Sequence, residues 1–380
     1  MINLSGQYSL VFSVAGFDDF LTELDLQYLK VVEEAGNILP TFEIVFTLLD
    51  KNILKYLNEG NPFYISFGED GSNLTTSSFR IMGKNLNKLG QGKYIVRLMG
   101  VYNAFPYYTD CKIQITDKVS GIKVIQDVAS QHFSTVDSNI ANSQDNQAWI
   151  QHNTPDRVFV NEVWMHSHIA NSFPAIGITS QGIFVLRDVR KLSVGKNYTW
   201  KFVSNYDDIT DTKEILIDPA YSTESMTGLV NAWVGYGKEK NLWNIDKSIA
   251  SVDKPILTPM LASSSALDRL TIAGKRAAEF NLVNENVDPH YWTAYQNNLA
   301  YLSVFGCTGM LISFTKRFAN VKVLDLVSLR DPDIDLAQSG ELYSGSYLVS
   351  KVVRIVENKI PVTMVELNRE SLAGLQGDIK

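Results

Sequence analysis

Residues 344–369 read SGSYLVSKVVRIVENKIPVTMVELNR. The stretch predicts two long strands around the turn Glu357-Asn358-Lys359, where Asn tolerates the positive φ that a tight hairpin requires. Strict alternation puts Tyr347, Val349, Lys351, Val353 and Ile355 on one face of the first strand. Val362, Met364 and Val365 populate the second arm. No catalytic side chain pattern lies on either arm, so the hairpin reads as building material for a sheet.

Working outward, residues 1–107 read as all-β. Strand patterns occupy 7–14, 24–32, 41–49, 63–67, 78–86 and 94–102, with a short helical turn at 51–58 and a glycine-bearing hairpin loop, Lys88-Leu89-Gly90-Gln91-Gly92. Strands at this spacing suggest a small barrel or sandwich. Residues 108–205 change character to a small α/β insert. Ile122, Ile125 and Ala129 fall at helical spacing within 121–133. A second helix over 154–169 starts with Thr154 as N-cap, Pro155 at the first helical position and Asp156 next. Phe159 and Val163 share one face of it, beside Val160 and Trp164. A hairpin follows, 175–178 and 183–188 around Ser180-Gln181-Gly182.

From about 206 the chain turns β again, with a strand at 225–236, a polar connection at 248–260 and a helix at 267–281. Asp288-Pro289 opens a further helix over 290–300, Asp288 as N-cap. The apolar run 299–314 reads as a buried strand pair or a strand plus turn, and 321–329 as another strand. The domain organisation is therefore 1–107, a first β-barrel-like domain; 108–205, an α/β insert; 206–260 with 300–372, a discontinuous second β domain; and 261–299, a helical insertion.

Composition bounds the function. The 380-residue chain is 45% hydrophobic, which gives ample core material, and its 34 basic against 41 acidic residues leave −7. That balance argues against a dedicated nucleic-acid grip. Cys111 and Cys307 form no disulfide framework and read as buried, reduced thiols. The N-terminus lacks the pattern of a signal peptide, and the run 299–314 is too short and too interrupted to span a bilayer, so no membrane insertion is expected.

The chemistry-bearing patterns are missing: no H-E-x-x-H, G-x-S-x-G, P-loop or G-x-G-x-x-G. His166 and His168, two apart on a helix, point away from each other and cannot share one ion. Asp207, Asp208 and Asp211 lack the rest of an EF-hand loop. Asp331, Asp333 and Asp335 alternate and could hold a hard cation, but Pro332 reads as an exposed turn. Glu162 has no paired carboxylate for glycosidase work. The reading is of a protein with no catalytic residues, no cofactor and no metal.

The order of elements resembles the baseplate hub family of contractile phage tails, to which the N-terminal part of type VI secretion spike proteins is related. Three stretches carry the resemblance. Ser344-Gly345-Ser346 precedes the strand Tyr347-Leu348-Val349, and the return strand ends on Leu367-Asn368-Arg369. Asp288-Pro289 through Ala294, Gln296 and Asn297 is similar to the family's helix that delivers the chain into its last sheet. Trp149-Ile150-Gln151, Asn153-Thr154, the helix after them and Gly182-Ile183-Phe184 through Asp188 are similar to its inserted domain. One departure stands out: Leu324-Asp325-Leu326-Val327 replaces the family's Gly-Asp-x-Val.

The resemblance implies a mainly β chain with α/β insertions, carrying two tube-type β-barrel domains, so that a homotrimer forms a pseudo-sixfold ring. It implies a structural hub in the virion tail baseplate, assembled in the host cytoplasm. The hub would join a hexameric tail tube protein ring to a central spike protein, with baseplate wedge proteins and a tape measure protein as further neighbours. DNA would pass the channel without specific binding. Tyr347, Val349, Lys351, Arg354 and Arg369 are the candidate inter-domain or inter-subunit contacts. The alternatives are the tip hub of a non-contractile tail or of a contractile injection system, a tail-associated cell-wall hydrolase, and a carbohydrate-binding module using Trp149, Trp243 or Trp292.

Overall fold

Seven strands open the chain: β1 (Ile2–Leu4), β2 (Tyr8–Val14), β3 (Leu26–Glu34), β4 (Thr41–Leu48), β5 (Pro62–Glu69), β6 (Thr75–Gly90) and β7 (Lys93–Tyr102). They are seen in a computed structural model that describes residues 2–4, 8–14, 17–22, 25–69, 74–90, 92–170, 172–193, 199–202, 215–217, 221–225, 240–244, 249–253, 279–283, 288, 290–305, 308–314, 321–330 and 345–369. The strands pair in the order β1-β2-β5-β6-β7-β4-β3. Their inward positions are apolar, and Phe12, Phe42, Phe46, Phe63 and Phe79 are buried together. Phe42 stacks on Phe63 at 5.1 Å and meets Phe79 at 4.9 Å. Gly100 is required beside them: a Cβ there would lie 2.5 Å from the Phe42 ring and 2.1 Å from the Arg80 carbonyl.

The insert comprises α1 (Phe105–Thr109), β8 (Cys111–Val119), α2 (Gly121–Ala129), β9 (Thr135–Ser138), β10 (Gln147–Pro155), α3 (Asp156–His166), β11 (Pro174–Ile178) and β12 (Ile183–Asp188). β11 and β12 form the expected hairpin, and β9 adds parallel to β12. Ile122, Ile125, Val128 and Ala129 of α2 pack with Phe159, Val160, Val163 and Trp164 of α3 and with Ile176, Phe184 and Leu186 of the small sheet.

Next come β13 (Thr199–Phe202), β14 (Ile215–Ile217), β15 (Tyr221–Ser225), β16 (Lys240–Asn244), β17 (Ile249–Asp253), β18 (Glu279–Val283), α4 (Tyr291–Phe305), β19 (Thr308–Phe314), β20 (Leu326–Arg330), β21 (Gly345–Glu357) and β22 (Ile360–Arg369). The closing hairpin is where the sequence placed it. Its turn residues Asn358 and Lys359 both have positive φ, 50° and 68°.

The fold is mainly β, with a large sheet that curls as a half-barrel. Among the described residues that sheet has fourteen strands, and it runs from the first β region into the second. The seam is β3 against β21, antiparallel from Glu34↔Lys351 to Tyr28↔Glu357. β21 pairs with β22 along its length, and its opening residues pair with β20.

Several sequence expectations need correction. The helix placed at 154–169 starts at Asp156, because Thr154 and Pro155 end β10, and it stops at His166. His168 is thus not helical. Residues 299–305 of the apolar run are helix rather than strand: Ala294, Asn298 and Tyr301 give α4 a buried stripe at i, i+4, i+7. Glu279–Val283, partly inside the helix expected at 267–281, is strand. β8, β9 and β10 are strands that the sequence reading did not place; β8 alternates, but it is Ile113 and Ile115 that face outward. Cys111 is a free, exposed thiol, not a buried one, because it opens the outward row of β8 that continues through Ile113 and Ile115. Asp207, Asp208, Asp211, Asp331, Asp333, Asp335, Cys307 and most of the 225–236 strand lie outside the described residues.

Candidate functional site

Of the five residues singled out on the closing hairpin, Lys351 and Arg354 lie on the seam between β3 and β21, whereas Tyr347, Val349 and Arg369 lie ahead of it, beside β20 and β19. A bulge organises the seam. Between Val349↔Leu367 and Lys351↔Glu366 the register shifts, and Ser350 is the extra residue. Ahead of the bulge β21 faces β20; beyond it β21 faces β3. The Ser350 carbonyl accepts from the Ala35 amide at 2.6 Å, and its hydroxyl donates to Asn368 Oδ1 at 2.6 Å.

An extra residue rotates every later side chain to the opposite face. Tyr347 and Val349 therefore share their buried face with Val352, Arg354 and Val356, not with Val353 and Ile355 as plain alternation has it. Tyr347 and Val349 are 0% exposed. Val349 donates its amide to the Asp325 carbonyl at 2.9 Å and accepts from the Leu324 amide at 2.8 Å. Arg369 is fully buried, its guanidinium 4.2 Å from the Tyr347 ring centre. Lys351 lies on the other face, paired with Glu34 at 2.5 Å across the seam.

Arg354 makes the central contact. It pairs with Glu33 of β3 at 3.1 Å, the two side chains only 7% and 2% exposed, and it donates to the Val321 carbonyl at 2.7 Å. The same Glu33 oxygen accepts from the Ser180 amide at 3.0 Å and hydroxyl at 2.6 Å, at the β11–β12 turn. One carboxylate thus ties the first β region to the insert and to the closing hairpin. Gly36 reinforces this by donating to the Ile176 carbonyl at 2.6 Å. Glu33 carried no sequence signal of its own beyond being an acid in an apolar strand.

Two further polar clusters fix the insert. Asp156, fully buried at the start of α3, accepts from Lys112 at 2.5 Å and Gln151 at 3.0 Å and lies 2.6 Å from His132 Nε2. Burial alone would raise its carboxyl, but hydrogen bonds from Lys112, His132 and Gln151 hold it below the usual carboxylate range. Its lone pairs are occupied, and among the described residues no serine, threonine or cysteine side chain bonds to His132, so the cluster lacks a nucleophile. Tyr107 donates to Asn37 at 2.7 Å, and Asn37 donates to Asn161 at 3.0 Å and to the Arg157 carbonyl at 3.1 Å. Burial pushes the Tyr107 phenol far up.

At the other end of α3, Asn298 of α4 donates to the carbonyls of Trp164, Met165 and Ser167 at 3.2, 3.0 and 3.0 Å, satisfying carbonyls that a helix end leaves open. Asp288 caps α4 as expected, accepting from the His290 amide at 2.8 Å. His166 stacks on Tyr291 at 3.7 Å and His168 on His290 at 4.5 Å, so the two histidines face different neighbours. Among the described residues no cluster of three metal-ligating side chains occurs, and no helix is long and apolar enough to cross a membrane. Glu162 is exposed and Trp149 is buried, its indole donating to the Val119 carbonyl at 3.0 Å.

Burial pushes the His166 imidazole down, partly offset by its bond to the Glu162 carbonyl. The unfolded chain, with His near its ordinary value of about 6.5, then binds more protons than the folded one below that pH. Stability from this group is fully present above about pH 6.5 and is lost as pH falls toward the folded value. Chemical denaturation between pH 7.5 and 5.5 should show this loss, and His166→Phe, which keeps an aromatic ring on Tyr291, should flatten it.

With the geometry in hand, the fold can be placed. No protein-family model matches the chain, and no curated protein does. Solved structures do. A 43 kDa tail protein of prophage MuSo2 from Shewanella oneidensis aligns over 96% of this chain and 98% of its own, with TM-score 0.60 and 9% identity. A tail protein from Neisseria meningitidis aligns over 96% and 97%, with TM-score 0.56 and 12% identity. An E. coli component of the type VI secretion system, described as structurally similar to the T4 tail proteins gp27 and gp5, aligns over 95% and 77%, with TM-score 0.54 and 8% identity. The fold is the one these phage tail and secretion components share.

Proposed function

We propose that this protein is a structural component of a phage tail, the trimeric baseplate hub that joins the hexameric tail tube to a central spike. The observation that carries the reading is the end-to-end likeness to the Shewanella tail protein, 96% of one chain on 98% of the other. The seam adds a physical reason. A rigid sheet holding two β portions side by side in one chain lets three copies offer six staves to a sixfold ring, and closure removes exposed strand edges. Each β portion is a barrel-like domain in this reading, and 108–205 is the insert between them.

The partners are a second and third copy, the tube ring, the spike, wedge proteins and the tape measure protein. The location is the virion baseplate, assembled in the host cytoplasm. At −7 per chain, a ring repels phosphate, so DNA slides through without sticking. Light scattering should give a mass near three times 42.5 kDa, and class averages should show a threefold ring with a central opening. A monomer that stays monomeric when mixed with tube and spike proteins would overturn the reading.

A further inference from the structure

Between Asp70 and Asp110 the chain has five basic residues, Arg80, Lys84, Lys88, Lys93 and Arg97, and no acid. The stretch is +5 in a chain of −7, so the remainder is −12. It forms the β6–β7 hairpin. Three of the five cations are held within the chain: Arg97 by Glu43 at 2.6 Å, Arg80 by Asn103 at 2.7 Å, and Lys84 by the Leu54 carbonyl at 3.2 Å. Lys88 and Lys93, opposite Tyr94 and Gly90 near the tip, are exposed.

The tip is also apolar and open. β6 pairs with β5 only over Thr75–Arg80, and the 60–61 turn covers Ile81. Beyond that, β6 has β7 on one side and, among the described residues, no strand on the other. Leu86 and Leu89 stand 41% and 57% exposed there. Lysines on an open edge can serve merely to discourage edge pairing. Exposed leucines beside them suit a protein surface rather than a phosphate backbone.

The first twenty-nine residues supply a complement: Asp18, Asp19, Glu23 and Asp25, with no lysine or arginine before Lys30. Asp18 and Asp19 are exposed. The Asp25 carbonyl accepts from the Thr47 amide at 2.8 Å, and Thr47 pairs with Ile95. Asp25 therefore lies at the same end of the sheet as the hairpin tip, and Asp18 and Asp19 precede it in the connection from β2 to β3. Copies related by rotation about an axis along the strands, as in a ring of staves, keep equivalent ends level, so the tip and these aspartates can meet without tilting either copy.

We propose that the β6–β7 tip, through Lys88, Lys93, Leu86 and Leu89, docks on Asp18, Asp19 and Asp25 of a second copy, a head-to-tail contact. The inference rests on the hub reading, since it specifies how copies of the hub associate. The experiment is the self-association of purified full-length protein, followed by light scattering from low to high salt. Wild type should associate more weakly as salt rises. Lys88→Glu with Lys93→Glu should weaken association by about tenfold or more, and adding Asp18→Lys with Asp19→Lys should restore it. Circular dichroism should show all variants folded. An oligomer unmoved by the lysine reversals overturns this contact and leaves the hub reading standing, with the lysines as edge protection only. An oligomer weakened by the reversals but not restored by the aspartate changes also overturns it, as does loss of binding to tube protein alone. A wild-type monomer overturns this contact, and it overturns the hub reading too if it persists when tube and spike proteins are added.

Discussion

Replacing Arg354 with methionine should cost about 3–5 kcal/mol of folding stability, read as a lowered urea midpoint. The loss comes from what is left behind. Glu33 keeps its two Ser180 donors, both neutral, and stays buried as a carboxylate without its cation. Replacing both members of a buried pair is often close to neutral. The double change Glu33→Gln with Arg354→Met should therefore recover most of the loss. Lys351→Met is the control: its pair with Glu34 is 36% exposed on both sides and should contribute no more than about 1 kcal/mol. Equal effects of Arg354→Met and Lys351→Met would mean that water reaches the Glu33 pair.

This junction also bears on the hub reading. If three copies are to act as six staves, the two β regions must keep a fixed relation while the insert rides on them. A single buried carboxylate bonded to β3, β21 and the β11–β12 turn provides that at small cost in sequence. Low-stability openings would then start elsewhere, and hydrogen exchange at Glu33, Ser180 and Arg354 should be among the slowest in the chain.

Much of this was legible in the sequence, for local reasons. Strands β2 to β7 and the hairpins β11–β12 and β21–β22 announce themselves by alternation and by Gly or Asn at turns, because those signals depend on neighbours in sequence. Asp288 was legible as a cap for the same reason. The start of α3 was misplaced because Thr-Pro-Asp is equally good as the end of a strand. The run 299–314 was ambiguous because a short apolar stretch satisfies either period when both faces are buried. The partners of Arg354 were not legible at all, since Glu33 and Ser180 lie far away in sequence. Leu324 is instructive. It has φ 67°, the left-handed conformation that glycine takes freely, at the place where the resembled family has glycine.

Val349→Asp should be the most damaging of the hairpin substitutions, by more than about 4 kcal/mol, because an ionised carboxylate would sit in a site with no access to water. Its own backbone groups are already spent on Asp325 and Leu324, and Leu367 lies opposite. The defect should appear in the isolated chain, as insoluble or unfolded protein, before any question of assembly arises. The bulge turns this into a test of register. Plain alternation puts Ile355 on the face of Val349 and Val352 on the other. The structure does the reverse, with Val352 buried on Val349's face and Ile355 half-buried on the Lys351 face. Val352→Asp should then be as poorly tolerated as Val349→Asp. Ile355→Asp, with Lys30 directly across the seam, should cost only about 1–2 kcal/mol. If Ile355→Asp proved the harsher of the two, Ser350 would not be the extra residue, and the seam between the two β regions would have to be rebuilt one position over.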